Sequence, residues 1–190
     1  TEAIINLLEA RINVLEKSLM NSLSTSLYSD GTGSSGKEVG GLQLIVADAG
    51  TGTVGGINSS TYTFWQNAQT TATSSAFSVA NVQTDMNTIY LSLVRGADSP
   101  DLVMAGTNAY TAFLGSLQAI QRITSDDMAR SGFTSLQYLN SDVVFDSAAN
   151  TNRMYFLNTD YLRLEVAASR DFVPGEAKMS VNQDAMVTPM

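Results

Sequence analysis

Two glycine-rich stretches carry the spacing that lets backbone amides cradle a phosphate. Gly31-Thr32-Gly33-Ser34-Ser35-Gly36-Lys37 matches the glycine and lysine positions of a Walker A loop, in which the lysine reaches the terminal phosphates. Glu38 stands where Ser or Thr must hold magnesium, and a carboxylate there repels phosphate. A helical pattern precedes this loop and none follows it, so no helix N-terminus is offered to an anion. The composition reads instead as a flexible Gly/Ser connection. Gly50-Thr51-Gly52-Thr53-Val54-Gly55 satisfies the dinucleotide pattern G-x-G-x-x-G and follows a predicted strand. Residues 56–63 lack the 3.6-residue apolar period of a helix, and no acid lies in the roughly twenty positions after the motif to hold a ribose. The expectation is a surface loop that uses glycine for positive φ.

Other chemistry is thinly provided. The chain has no cysteine and no histidine. That excludes disulfides, thiolate nucleophiles and cysteine-based metal sites, and removes the commonest general base near neutral pH. Asp126 and Asp127 are adjacent acids, but neighbours in sequence often point apart, and the reading is a solvated loop or acids at a helix start. Serines are plentiful, yet no G-x-S-x-G elbow occurs. No catalytic, cofactor-binding or metal-ligating residue is assigned, and the expectation is a chain that is not an enzyme.

The 190 residues are 44% apolar, enough for a real core in one or two domains. The net charge of −8 is spread along the chain, with ammonium groups only at Lys17, Lys37 and Lys178. This argues against nucleic-acid binding by phosphate neutralisation. No apolar run reaches the length of a membrane span and no signal-peptide order opens the chain, so the reading is a soluble, intracellular protein without a membrane partner.

The elements that would position these groups are of mixed type. Ile4, Leu8, Ile12, Leu15, Leu19 and Leu23 recur at three- and four-residue steps and predict a long amphipathic helix from Glu2 to about Leu27. Asp30 to Gly41 reads as the flexible connection, and Leu42 to Ala47 as a buried strand. The loop that follows holds Tyr62, Phe64 and Trp65, which need burial somewhere. The first expectation is that they anchor the loop on its own domain; the alternative is a contact between subunits. A second helix capped by Ser78 carries Val79, Val82, Met86, Ile89, Leu93 and Val94 and ends at Gly96. Leu102 to Ala105 predicts a strand, and a third helix capped by Thr107 or Asn108 bears Tyr110, Phe113, Leu114 and Leu117. Val143–Phe145 and Met154–Leu157 predict a hairpin across the turn-forming residues 146–152. Leu162, Leu164 and Val166 alternate with charged residues as in a half-wet strand, and a last extended run covers Lys178 to Val187. The fold class is α+β.

Three C-terminal strings, Met154-Tyr155-Phe156-Leu157-Asn158-Thr159-Asp160-Tyr161-Leu162, Arg170-Asp171-Phe172-Val173-Pro174 and Asn182-Gln183-Asp184-Ala185-Met186-Val187, resemble the major capsid proteins of tailed phages and prophages. So do Gly40-Gly41-Leu42 through Gly55-Gly56-Ile57 and Phe64-Trp65-Gln66-Asn67. The resemblance implies the Hong Kong 97-type fold, with residues 1–45 supplying a peripheral domain's spine helix and linker, 46–145 an axial domain, and 146–190 the peripheral sheet. It implies that an N-terminal arm and extended loop precede this stretch and that further sheet follows it. It also implies a structural subunit that builds hexamers and pentamers of an icosahedral head, in the virion after assembly and the host cytoplasm before it, with scaffolding or portal proteins as further partners. A bacterial encapsulin-type nanocompartment shell shares that fold and is the alternative, and a nucleotide-binding enzyme using a glycine loop is a third reading.

Overall fold

The structure is a computed structural model that describes residues 2–121, 136–165, 178–179 and 186–187. It combines helices and sheets, an α+β chain, in two compact units, Thr1–Asn158 and Thr159–Met190. Asp126 and Asp127, and the family-like strings at 170–174 and 182–185, lie outside the described residues.

The first unit opens with helix α1, Glu2–Ser26, where the apolar spacing places it. At 1.5 Å per residue it runs about 38 Å. Its last turn is tightened by hydrogen bonds from Tyr28 N to Thr25 O and from Ser29 N to Ser26 O, both 3.1 Å. The chain then closes a loop and does not run on as a linker. Gly41 N donates to Ser29 O (3.0 Å), Leu42 N to Leu27 O (2.7 Å) and Ser29 Oγ to Val39 O (2.9 Å). A Cβ on Gly41 would sit 2.3 Å from Leu27 O, so only glycine permits this approach. The strand expected at Leu42–Ala47 is instead a single helical turn, Leu42–Ile45. A short apolar run does not distinguish the two by period alone, and here Leu42 is committed to Leu27 and has no strand partner.

Strands β1, Thr53–Val54, and β2, Ile57–Asn58, form a small hairpin. Helix α2 covers Val82–Leu93. Ser78 does not cap it through its side chain; its carbonyl accepts from Asn81 N and Val82 N, and the helix begins one turn late. Val79 is therefore left outside the buried stripe of Val82, Met86 and Tyr90. Arg95 Nη1 caps the other end, donating to Ser92 O and Val94 O, as cations do at exposed C-terminal carbonyls. Strand β3, Leu102–Ala105, leads through Gly106 into helix α3, Thr107–Gln121. Tyr110 N donates to Gly106 O at 2.9 Å.

Strands β4, Leu136–Tyr138, β5, Ser141–Phe145, and β6, Met154–Leu157, complete a mixed sheet in the order β4-β5-β3-β6. The β5–β6 hairpin expected from sequence does not form. β3 lies between them, parallel to β5 (Val103↔Val143) and antiparallel to β6 (Val103↔Phe156). An apolar strand with both edges to satisfy outcompetes a local turn, because each neighbour adds a ladder of backbone bonds and a buried face. This sheet holds strands on both sides of residue 146, β5 before it and β6 after it. Its inner face, Val103, Leu136 and Val143 with Met154 and Phe156 beside them, packs on Val82, Met86, Ala112 and Phe113. Tyr138 stands edge-on to both Tyr90 and Phe113, at centroid distances of 5.9 and 6.1 Å.

In the second unit, Thr159–Tyr161 forms a 3₁₀ turn and strands β7, Lys178–Met179, and β8, Met186–Val187, pair antiparallel. Leu162–Glu165 is not a strand, and Leu164 is exposed. Alternation alone does not make a strand without a neighbour to pair with.

Gly106 permits a close backbone approach. A Cβ there would meet Asn150 O at 2.0 Å, while Gly106 N donates to Arg153 O at 3.0 Å. Gly106→Ala must push the Asn150–Thr151 backbone away from the start of α3, and urea denaturation should show a loss of about 3 kcal/mol.

Candidate interaction surface

The glycine motifs resolve into turns. In the first, Ser34 and Ser35 adopt left-handed conformations (φ +48° and +61°) between Gly31 and Gly36, also at positive φ. The Glu38 carboxylate fills the space where a Gly33 Cβ would lie, and Asp30 Oδ1 accepts from Thr32 N and Thr32 Oγ1 at 3.0 and 2.7 Å. Those bonds from Thr32 hold the Asp30 carboxyl below its ordinary value. Two carboxylates thus flank the loop, and the next helical piece is a single turn, too short to present a dipole to an anion. In the second motif, Gly55 and Gly56 sit at φ +59° and +80° in the two-residue turn joining β1 to β2. A turn with both central residues at positive φ is the kind that matches strand twist. Gly50 is also at positive φ, so this motif serves a hairpin.

That hairpin mounts the aromatic residues. Ser59 is buried and ties the strands together: Gly52 N donates to Ser59 Oγ at 2.8 Å and Ser59 N to Gly52 O at 2.9 Å. Tyr62 N donates to Asn58 O, and Thr63–Trp65 forms a 3₁₀ turn. Gln66 Nε2 then reaches back to Ser59 O, and Asn67 Nδ2 to Ala47 O, both 3.0 Å. Held this way, Tyr62, Phe64 and Trp65 do not anchor the loop in a core. They remain 52%, 78% and 47% exposed. They meet one another edge-to-face, Tyr62 to Phe64 at 6.1 Å and Phe64 to Trp65 at 6.4 Å. The backbone that carries this exposed cluster is already braced and has little conformational freedom left to lose on contact with a partner.

A cleft of about 440 Å³ lies behind this segment, between the strap of residues 66–77, α2 and β6, lined by Ala47, Asn67, Phe77, Ile89 and Phe156. Its charged groups are committed to the chain's own structure. Asp48 pairs with Arg153, and Asp85 accepts from Thr73 N (3.0 Å) and Thr73 Oγ1 (2.6 Å), stapling the strap to α2. The buried Tyr155 hydroxyl lies near Arg153 without a well-formed hydrogen bond; burial raises its pKa while the guanidinium pulls the other way. Among the described residues, no group of three or more acids is set to hold a metal ion, and no helix is long and apolar enough to cross a membrane.

The joint at the base of α1 gave no sign in the sequence. Tyr28 is buried against Tyr155 (centroids 6.2 Å), and its hydroxyl donates to Asp146 Oδ2 at 2.7 Å and faces Met104 Sδ at 3.5 Å. Nothing local pairs residues 118 positions apart; the only hint is a tyrosine directly after the helical stripe. Among the described residues, Ile12, Val14, Leu15 and Met20 of α1 are all exposed.

Comparison with protein-family models, curated proteins and solved structures finds no match.

Tyr28→Phe removes a hydrogen bond to a carboxylate and should cost roughly 2 kcal/mol at neutral pH. Burial, then the Asp146 hydrogen bond and charge, raises the Tyr28 pKa well above the ordinary 10.0. The unfolded chain therefore ionises first as pH climbs past about 10, and the stability held by the neutral phenol drains away over that window. Denaturation at neutral and alkaline pH should show the wild-type advantage over Tyr28→Phe shrinking as pH rises.

Proposed function

We propose that this chain is a structural subunit that works by packing against copies of itself, as a shell protein of the Hong Kong 97 capsid type in a tailed phage or prophage head. The braced, solvent-facing cluster of Tyr62, Phe64 and Trp65 carries this reading. Three large rings held at the surface are costly in a monomer and are the residue types that dominate protein contacts. The long helix moored at its C-terminal end to a mixed sheet through Tyr28 and the commitment of the cleft's charged groups to the chain's own structure support the same reading. In such an assembly the binding energy comes from many modest contacts, each interface burying around 1,600 Å², and rings close through heterologous surfaces.

Electron microscopy and light scattering of the expressed chain test this. Rings or particles are expected, favoured by salt because subunits of charge −8 repel one another less when screened. Replacing Tyr62, Phe64 and Trp65 together by serine should abolish them while changing folding stability by no more than about 0.5 kcal/mol per position, the usual range at a surface. Absence of any ordered assembly across salt and concentration, or particles indifferent to the triple substitution, would overturn the proposal.

A further inference from the structure

Helix α1 has a second regularity beyond its single stripe. Ile5, Ile12 and Leu19 recur every seven residues, and Leu8 and Leu15 fall three residues after the first two of them. This is a heptad seam with Ile5, Ile12 and Leu19 at position a and Leu8 and Leu15 at position d. β-Branched residues at a with leucine at d favour a parallel two-stranded coiled coil. The helix carries the whole seam without a break, Glu2–Ser26, and no part of the described chain covers its middle: Ile12 and Leu15 are 41% and 48% exposed.

Charge selects the partner. In this register Arg11 occupies position g and Glu16 position e. A parallel pair sets each g residue against the e residue five positions on in the other helix, so Arg11 of each chain faces Glu16 of its mate, twice per dimer. The outward positions b and f carry Asn6, Ala10, Asn13 and Lys17, with Met20 at the last b, while c holds Leu7, Val14 and Asn21. Past Leu19 the seam closes: Ser22 and Ser26 take the next d and a places, and Glu38 faces Ser22 and Thr25 across a shallow groove. We infer that α1 pairs in parallel with α1 of a second copy of this chain, through Ile5, Leu8, Ile12, Leu15 and Leu19, with reciprocal Arg11–Glu16 ion pairs fixing the register. The pairing is independent of whether a closed shell forms, because it uses a face of α1 and not the aromatic turn.

Sedimentation equilibrium of the whole chain at low salt, where charge repulsion holds back larger assemblies, gives the first readout, with twice the 20.2 kDa chain mass expected. Ile12→Asp with Leu15→Asp should return the monomer with unchanged far-ultraviolet dichroism, while Val14→Asp, off the seam, should leave the dimer intact. Arg11→Glu should weaken association at least about tenfold, the equivalent of 1.4 kcal/mol, and adding Glu16→Arg should restore it. Because the chain has no cysteine, Leu8→Cys supplies a clean orientation test. Oxidation should join two such chains, since parallel helices bring the position opposite itself and antiparallel ones separate it. A wild-type monomer at every concentration, a dimer that survives the double aspartate variant, or a dimer without the Leu8→Cys cross-link overturns the inference. Particles that form without that cross-link would overturn the pairing and leave the shell proposal standing; a cross-linked dimer that builds nothing larger would do the reverse.

Discussion

Strand β3 satisfies both of its hydrogen-bonding edges with segments that come much later in the chain. Leu102–Ala105 pairs with β5 on one side and β6 on the other, while Val103 and Ala105, both fully buried, face α2 and α3. A four-residue strand gains little alone, since an isolated pair is marginal in water. Flanked on both edges and sealed on one face by Val82, Met86 and Phe113, it becomes the line against which the rest of the first unit is registered. The hairpin that presents Tyr62, Phe64 and Trp65 is tied to this frame through Asn67 and through the strap stapled by Asp85. Helix α1 is tied to it through Tyr28, which bonds to Asp146 just after β5 and contacts Met104 of β3 itself.

Periodic elements were legible in the residues. The steps of Ile12, Leu15, Leu19 and Leu23 locate α1, the Met86 and Phe113 stripes locate the two shorter helices, and the apolar runs at Leu102, Val143 and Met154 are strands where the pattern placed them. Pairing was not legible. The turn-rich stretch between Phe145 and Met154 invites a hairpin, and no local signal announces that a strand forty residues earlier will lie between its arms. Leu42–Ile45 was misread for a related reason: four apolar residues suit either backbone, and the choice was made by the carbonyl of Leu27 accepting from Leu42. The aromatic turn was found by residue type, but its exposure depended on a hairpin whose turn glycines sit inside a pattern better known for nucleotide binding.

Those glycines show how spacing and chemistry separate. A phosphate cradle and a tight hairpin turn both need backbone that can enter positive φ, so both select glycine at similar intervals. What distinguishes them is the next element. Gly55 and Gly56 lead into β2, and Gly36 leads to Glu38, whose carboxylate folds back over Gly33. The charged groups around the cleft behave alike: Asp48, Arg153 and Asp85 serve as fasteners that hold loops in place. Around the cleft these charged side chains hold shape, while Tyr62, Phe64 and Trp65 face water.

The bond between Tyr28 and Asp146 spans 118 residues. Closing a loop of that length costs about 4 kcal/mol in chain entropy if nothing between has ordered, so the contact is cheap only once the sheet has brought Asp146 to its place. During synthesis α1 leaves the ribosome before β5, and its mooring waits for Asp146. For that interval an amphipathic rod trails from a half-finished domain with its oily side bare, and what it meets first in the crowded cell is governed by how quickly β5 arrives.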